Sequence, residues 1–73
     1  MDDLLKLLNE VRPDVDFKNE TGLVTDKVLD SFDIITIVSD LNEAYDIEIN
    51  VTDLQPENFD SAGAILKLVE RLS

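Results

Sequence analysis

The sequence predicts an all-α fold, a small four-helix bundle with three main helices, one short helix and a long first loop. Three stretches carry apolar residues at the spacing of one helix face. One stretch, residues 47–51, alternates apolar and polar residues, but no second stretch does so, and a lone strand cannot satisfy its backbone groups. We therefore interpret it as an extended connector anchored by Ile47 and Ile49. The chain has 73 residues, enough for one domain over residues 1–73 with a thin core.

The first helix is predicted over residues 2–12. Asp2 and Asp3 put negative charge in the first turn, where the helix dipole favours it. Pro13 ends the helix, because its ring and its missing N–H disrupt a further turn. The predicted core-facing residues are Leu4, Leu5, Leu8 and Val11, with Leu7 beside them.

Residues 13–30 form a long connection without a sustained period. Such connections are uncommon in compact domains and are usually either functional or disordered. Apolar residues along this one favour an ordered loop that packs across the bundle and leads to Ser31. These anchors are Val15, Phe17, Leu23, Val24, Val28 and Leu29.

The second helix is predicted over residues 31–45. Ser31 lies at its start, where a side-chain oxygen can cap the helix by accepting from a backbone N–H one turn ahead. The predicted core face of this helix consists of Ile34, Ile37, Val38, Leu41, Ala44 and Tyr45.

Two bulky apolar residues, Phe32 and Ile35, fall on the opposite face of the second helix. An exposed aromatic ring beside an isoleucine, rimmed by acids, is typical of a small protein-docking patch. Two stray surface residues, or a tuck beneath the preceding loop, fit the periodicity equally well. The polar residues of this face are Thr36, Ser39 and Glu43, flanked by Asp33 and Asp40.

A short helix is predicted near residues 54–59. Thr52 or Asp53 is its expected N-cap. Pro56 suits the first turn, and Phe59 is expected in the core.

Ser61 is expected to open the last helix as its N-cap. Lys67 and Arg71 lie towards its C-terminus, where the helix dipole favours positive charge. The predicted inward residues are Ile65, Leu66, Val69 and Leu72, with Leu68 beside them.

The charge balance is strongly acidic, with six basic and seventeen acidic residues and a net charge of −11. Nucleic-acid binding requires a basic face and is not expected, and anionic membranes are disfavoured for the same reason. Basic protein partners are favoured, with association speeded by electrostatic steering. A merely solubilising acidic surface is the alternative.

Catalysis by this chain alone is not expected, since the sequence has no cysteine, no histidine and no glycine-rich phosphate loop. No stretch has the ligand spacing of an EF-hand, although clustered acids can bind divalent ions weakly. No apolar run approaches the roughly 20 residues of a membrane span, and the acidic N-terminus is unlike a signal peptide. A cytoplasmic monomer without a membrane span is expected.

Two Asp-Ser pairs allow a comparison. Asp60-Ser61 precedes two small residues, so the serine there is expected to be a plain N-cap. Asp30-Ser31 instead precedes Phe32 and the outer face of the second helix. From the residues alone, Ser31 is either a helix cap or a hydroxyl presented to another protein.

The motif Leu29–Asp33 (LDSFD) is followed by an acidic amphipathic helix that ends in Glu43–Ile49 (EAYDIEI). This combination resembles the acyl carrier protein family. The resemblance covers nearly the whole chain, and it implies a four-helix bundle with a short third helix.

The resemblance further implies that Ser31 receives 4′-phosphopantetheine from coenzyme A through a phosphopantetheinyl transferase. Asp30 would help to place the magnesium ion in the transferase complex. The arm would carry an acyl group as a thioester between loading and acceptor enzymes with basic docking surfaces. Its thiol would account for the missing cysteine. The implied partner-facing residues are Phe32, Asp33, Ile35, Thr36, Ser39, Asp40 and Glu43.

The chain departs from the pattern of fatty-acid carriers. They usually have a glycine shortly before the aspartate, where residues 27–29 read KVL, and a leucine after the serine, where Phe32 stands. They also tend to carry an acid at the position of Thr36 and a methionine at that of Ser39. The LDSF form is similar to D-alanyl carrier proteins and to some carriers of non-ribosomal pathways. An aminoacyl carrier is therefore the alternative within the class, and an unmodified helical adaptor is the alternative outside it.

Overall fold

The computed structural model describes residues 2–73, which form four α-helices and no β-strand. This confirms the predicted four-helix bundle with one short helix and a long first loop. The second helix has the predicted bounds, the first ends one residue earlier than predicted, and the short helix starts two residues later. The elements are α1 (Asp2–Val11), α2 (Ser31–Tyr45), a 3-10 turn (Val51–Asp53), α3 (Pro56–Phe59) and α4 (Ala62–Leu72).

The hydrophobic core lies where α1 packs against α2 and α4, and α3 closes it by packing against α4. Among residues 2–73 no polar or charged side chain is buried, so the core is held by apolar burial alone. The apolar faces predicted for the three main helices supply half of the buried residues, and the long loop supplies four more. The buried residues are Leu4, Leu8, Val15, Phe17, Leu23, Leu29, Ile37, Leu41, Ile49, Phe59, Ala62, Ile65, Leu68 and Val69.

One residue of the predicted core face of α2 is not in the core. Ala44 is exposed, on the rim of a shallow groove that Leu7 and Glu10 of α1 also line. The apolar face of α2 is therefore buried at Ile37 and Leu41, whereas in its last turn Tyr45 packs against the core and Ala44 does not.

The long loop between α1 and α2 is ordered, as its apolar anchors predicted. One carboxylate, between α3 and α4, binds the loop through hydrogen bonds. Asp60, just before α4, accepts hydrogen bonds from the backbone N–H groups of Val24 (3.0 Å) and Thr25 (2.9 Å) and from the Thr25 hydroxyl (2.6 Å). These bonds, with that of the hydroxyl foremost, lower the pKa of Asp60. The Asp60 carbonyl also accepts from the N–H of Leu23 (2.8 Å).

The connector after α2 forms no strand, as predicted, and its isoleucines anchor it. Asp46 ends α2 in the left-handed region (φ 52°) and donates its N–H to the Asn42 carbonyl. The Asn42 side chain accepts from the N–H of Ile49 at 2.9 Å. Ile49 is buried and Ile47 is partly buried. The N–H groups of both isoleucines are thus bonded to Asn42 without a second strand.

The N-caps of the two C-terminal helices differ in how well the sequence predicted them. Gln55 occupies the N-cap of α3, ahead of Pro56, but its side chain makes no capping bond and donates instead to the Thr52 carbonyl at 3.2 Å. The prediction of Thr52 or Asp53 was wrong because the 3-10 turn takes up both residues first. Ser61 caps α4 as predicted, accepting from a backbone N–H one turn ahead at 3.0 Å.

Candidate functional site

The candidate site is the start of α2, where the structure corrects the predicted cap. Asp30, not Ser31, is the N-cap residue. Its carboxylate accepts from the N–H of Asp33 at 2.9 Å, and the Asp33 carboxylate accepts from the N–H of Asp30 at 3.2 Å. This reciprocal capping box satisfies two backbone donors at once. The prediction failed because aspartate and serine are equally good caps and stand side by side.

Ser31 is the first residue of α2 and is exposed. No hydrogen bond within residues 2–73 involves its hydroxyl, since the neighbouring aspartate performs the capping. The oxygen is therefore open to solvent on a corner whose backbone is fixed. A group esterified to it would break no intramolecular hydrogen bond of the described chain.

The two apolar residues predicted on the outer face of α2 are indeed exposed. Phe32 is 80% exposed and Ile35 is 63% exposed, so neither tucks beneath the preceding loop. We call these two residues the α2 apolar patch. An aromatic ring so accessible contributes little to the stability of the isolated domain, and it is suited to burial against another surface. Of the polar residues predicted beside it, Thr36, Ser39 and Glu43 are exposed and Asp40 is partly buried.

Asp33, the remaining residue predicted for the partner-facing side, is mostly occupied within the fold. Its side chain is 15% exposed. Besides closing the capping box, its carboxylate forms an ion pair with Arg12. The structure therefore places Asp33 under the start of α2 and not on the open face with Phe32.

Arg12, which the sequence did not single out, links three segments at the site. Its Nη1 donates to the Asp33 carboxylate and, more weakly, to the Val28 carbonyl at 3.4 Å. Its Nε and Nη2 donate in a fork to the two oxygens of Asp14, both at 2.9 Å. The fork lowers the pKa of Asp14 to about 2, and the two carboxylates raise the pKa of Arg12. The only sequence signal was an isolated cation between a helix end and a proline in an acidic chain.

A shallow apolar crevice of about 90 Å³ lies along the first turns of α2. Ile34 of α2 and Val24 of the long loop form one side, and the segment before and within α3 forms the other. The residues on the α3 side are Leu54, Gln55, Pro56 and Phe59.

Despite the many acids, no group of three or more metal-ligating side chains comes together within residues 2–73. At the candidate site, Asp30 uses one carboxylate oxygen for the helix cap. Its other oxygen accepts no hydrogen bond in the described chain and could serve as a single ligand to an ion held mainly by a partner.

No protein-family model matches the chain, and no curated protein matches it. None of the helices in the described residues is long and apolar enough to cross a membrane. The case for a function therefore depends on the site itself.

Proposed function

We propose that the chain is an acyl carrier protein that holds 4′-phosphopantetheine on Ser31 and presents it to a series of partner enzymes. The observation that carries the proposal is the division of roles at the start of α2. Asp30 caps the helix, which leaves the Ser31 hydroxyl exposed and without a hydrogen bond. A serine kept only for capping would have its oxygen engaged, as Ser61 does.

The residues at this corner fit such a group. A phosphodiester on the first residue of a 15-residue helix lies at the positive end of the helix dipole. When bound, the group supplies a terminal thiol that carries cargo as a thioester, a function that a chain without cysteine cannot perform by itself. Ser31 serves as an anchor, and Asp30 offers its unbonded carboxylate oxygen to the magnesium ion of the loading transferase.

The size of the crevice beside α2 supports a second candidate, an aminoacyl carrier. A crevice of about 90 Å³ that is open to solvent does not enclose a long acyl chain. Small or polar cargo that stays in solvent needs no such crevice. Loading assays with acyl and with aminoacyl ligases distinguish the two cargoes.

The partner surface proposed for the carrier is the α2 apolar patch with the acids beside it. Burying Phe32 and Ile35 would supply binding energy, and Asp40 and Glu43 would steer basic surfaces towards them. An unmodified helical adaptor would use the same patch, so only modification of Ser31 separates the carrier from the adaptor.

The decisive experiment is mass spectrometry after incubation with coenzyme A, magnesium and a broad-specificity phosphopantetheinyl transferase. We expect the chain to gain the mass of one phosphopantetheine and Ser31→Ala to gain nothing. Ser39→Ala, which removes another exposed serine of α2, is the matched control and should be modified like the wild type. No gain on the wild type would favour the adaptor, and a gain on Ser31→Ala would move the anchor elsewhere.

A second experiment tests the docking face. The double variant Asp40→Lys/Glu43→Lys should associate with a basic loading enzyme about tenfold more slowly at low salt, with a weaker salt dependence, because it loses the steering charges. Asp33 is left intact, since changing it would break the capping box. The double variant Glu57→Lys/Glu70→Lys, on α3 and α4, changes the net charge by the same amount and is the control for charge alone. Unchanged on-rates in stopped-flow measurements would place the docking face elsewhere.

A further inference from the structure

We propose that Arg12 is a positioning residue for the modification of Ser31, an inference that rests on the proposed carrier function. The Ser31 hydroxyl makes no hydrogen bond within the described chain, so within the domain only the backbone that carries Ser31 fixes where this side chain is placed. That backbone is the turn of residues 30–33. Within α2, the Thr36 hydroxyl bonds to the Phe32 carbonyl of this turn, and from outside α2 the side chain of Arg12 bonds to Asp33.

The contacts of Arg12 form a continuous chain of hydrogen bonds from the end of α1 to the start of α2. Asp14 holds the guanidinium through two bonds of 2.9 Å. The guanidinium binds Asp33 Oδ2, and that same oxygen accepts from the N–H of Asp30. Asp30 in turn accepts from the N–H of Asp33. Every link involves a charged group, which makes these bonds stronger and more directional than neutral ones.

Arg12 also reaches the other side of the serine in sequence. Its Nη1 lies 3.4 Å from the carbonyl of Val28, at the end of the long loop. One guanidinium therefore contacts the chain both before and after Ser31, and it is partly buried while doing so. A planar fork with donors in fixed directions can restrain two segments at once, whereas a lysine ammonium provides only a flexible point charge.

The chain supplies a matched control for this role in a second arginine-aspartate pair. Arg71 donates to Asp53 at 3.1 Å, and Asp53 accepts from the N–H of Asn50 three residues earlier at 3.2 Å. The chemistry repeats that of Arg12 with Asp33, but it lies on the 3-10 turn and α4. Removing either arginine changes the net charge equally, and only one of them borders Ser31.

The test compares Arg12→Gln, Arg12→Lys and Arg71→Gln by two measurements. Amide hydrogen exchange of the unmodified chain reports on the N–H groups of Asp33 and Ile34, which bond to Asp30. Steady-state kinetics with the transferase report on loading, as separate kcat and KM values. Urea unfolding of each variant measures global stability and allows exchange to be compared under conditions where all variants are folded.

In Arg12→Gln we expect exchange protection at these two amides to fall about tenfold more than in the middle of α4. Loading kcat/KM should fall about tenfold, because a small misplacement of the reacting oxygen is costly. Arg12→Lys should recover part of the loading, and Arg71→Gln should stay within about twofold of the wild type in both measurements.

Three results would overturn the proposal. Protection lost equally in all helices would mean that Arg12 stabilises the fold without positioning the turn. Protection lost only at the turn, with loading unchanged, would mean that its order does not matter for modification. Loading lowered as much by Arg71→Gln would point to charge alone. A wild-type chain that is never modified would instead refute the carrier function, a failure visible before any variant is made.

Discussion

At the scale of single residues, the start of α2 separates two tasks that one serine could have combined. Asp30 satisfies the orphan donors of the helix, and Ser31 keeps a free oxygen one residue later. The phenyl ring of Phe32 then stands 80% exposed beside it. A capping serine would hold its oxygen against the helix end, away from any visiting enzyme. The separation therefore makes a rigid corner compatible with an accessible hydroxyl.

This division predicts opposite costs for two neighbouring alanine variants. Asp30→Ala should lower the free energy of unfolding by about 1 kcal/mol, because it removes the cap of α2. Ser31→Ala should change it by less than about 0.5 kcal/mol, as expected for a surface residue without partners. Urea unfolding of the two variants checks this. A larger loss in Ser31→Ala than in Asp30→Ala would return the cap to the serine.

Sequence periodicity predicted the positions of some residues of the site and not of others. It predicted that Phe32 and Ile35 face away from the core, because a helix of known phase fixes where every side chain points. It could not choose between adjacent caps, which differ by one residue and little energy. It also could not find the ion pair of Arg12 with Asp33, since the two residues are 21 positions apart, on either side of the long loop, and no local rule relates them.

At the scale of elements, the bundle depends on how its long loop is fastened. Apolar anchors hold the loop on the core, and their presence in the sequence was enough to predict its order. The polar fastening at Asp60 was not predictable, because it joins residues 24–25 to a position 35 residues later. The bounds of α2 were predictable, since a long amphipathic pattern sets them. The start of α3 was not, because a four-residue helix has no period to detect.

The Asp60 fastening predicts a specific pH dependence. Its three hydrogen bonds lower the pKa of Asp60 below the ordinary 3.8. The stability they contribute is therefore present above pH 3.8 and is lost as the pH falls through the lowered pKa. Asp60→Asn should have a lower Tm than the wild type at neutral pH. When Tm is plotted against pH, the curves of the two proteins should converge under strong acid.

The control for that titration is Glu57→Gln, which removes one exposed carboxylate that accepts no hydrogen bond within residues 2–73. The difference in Tm between Glu57→Gln and the wild type should reflect the change in net charge alone. Thr25→Val, which deletes one donor to Asp60, should show part of the convergence. A difference between Asp60→Asn and the wild type that stays constant from neutral pH to below 3.8 would contradict the assignment.

At the scale of the whole molecule, few of the acidic side chains form ion pairs. Within residues 2–73 the ion pairs involve only Arg12 and Arg71, so the lysines pair with no acid. The segment from Asp26 to Asp60 contains ten acidic residues and one basic residue, Lys27. The folded state therefore holds together like charges that the unfolded chain can spread apart.

The dimensions of the molecule decide how this repulsion responds to salt. The fold measures 26 × 24 × 19 Å, whereas the Debye length is about 30 Å at 0.01 M salt and about 10 Å at 0.1 M. Raising NaCl across this range should confine repulsion to near neighbours and stabilise the fold by about 1 kcal/mol, or about 4–8 °C in Tm. Because no metal-ligating cluster exists in the described chain, MgCl2 at matched ionic strength should act much as NaCl does. A Tm that stays flat in both salts would contradict the repulsion, and a far larger effect of magnesium would reveal an ion site.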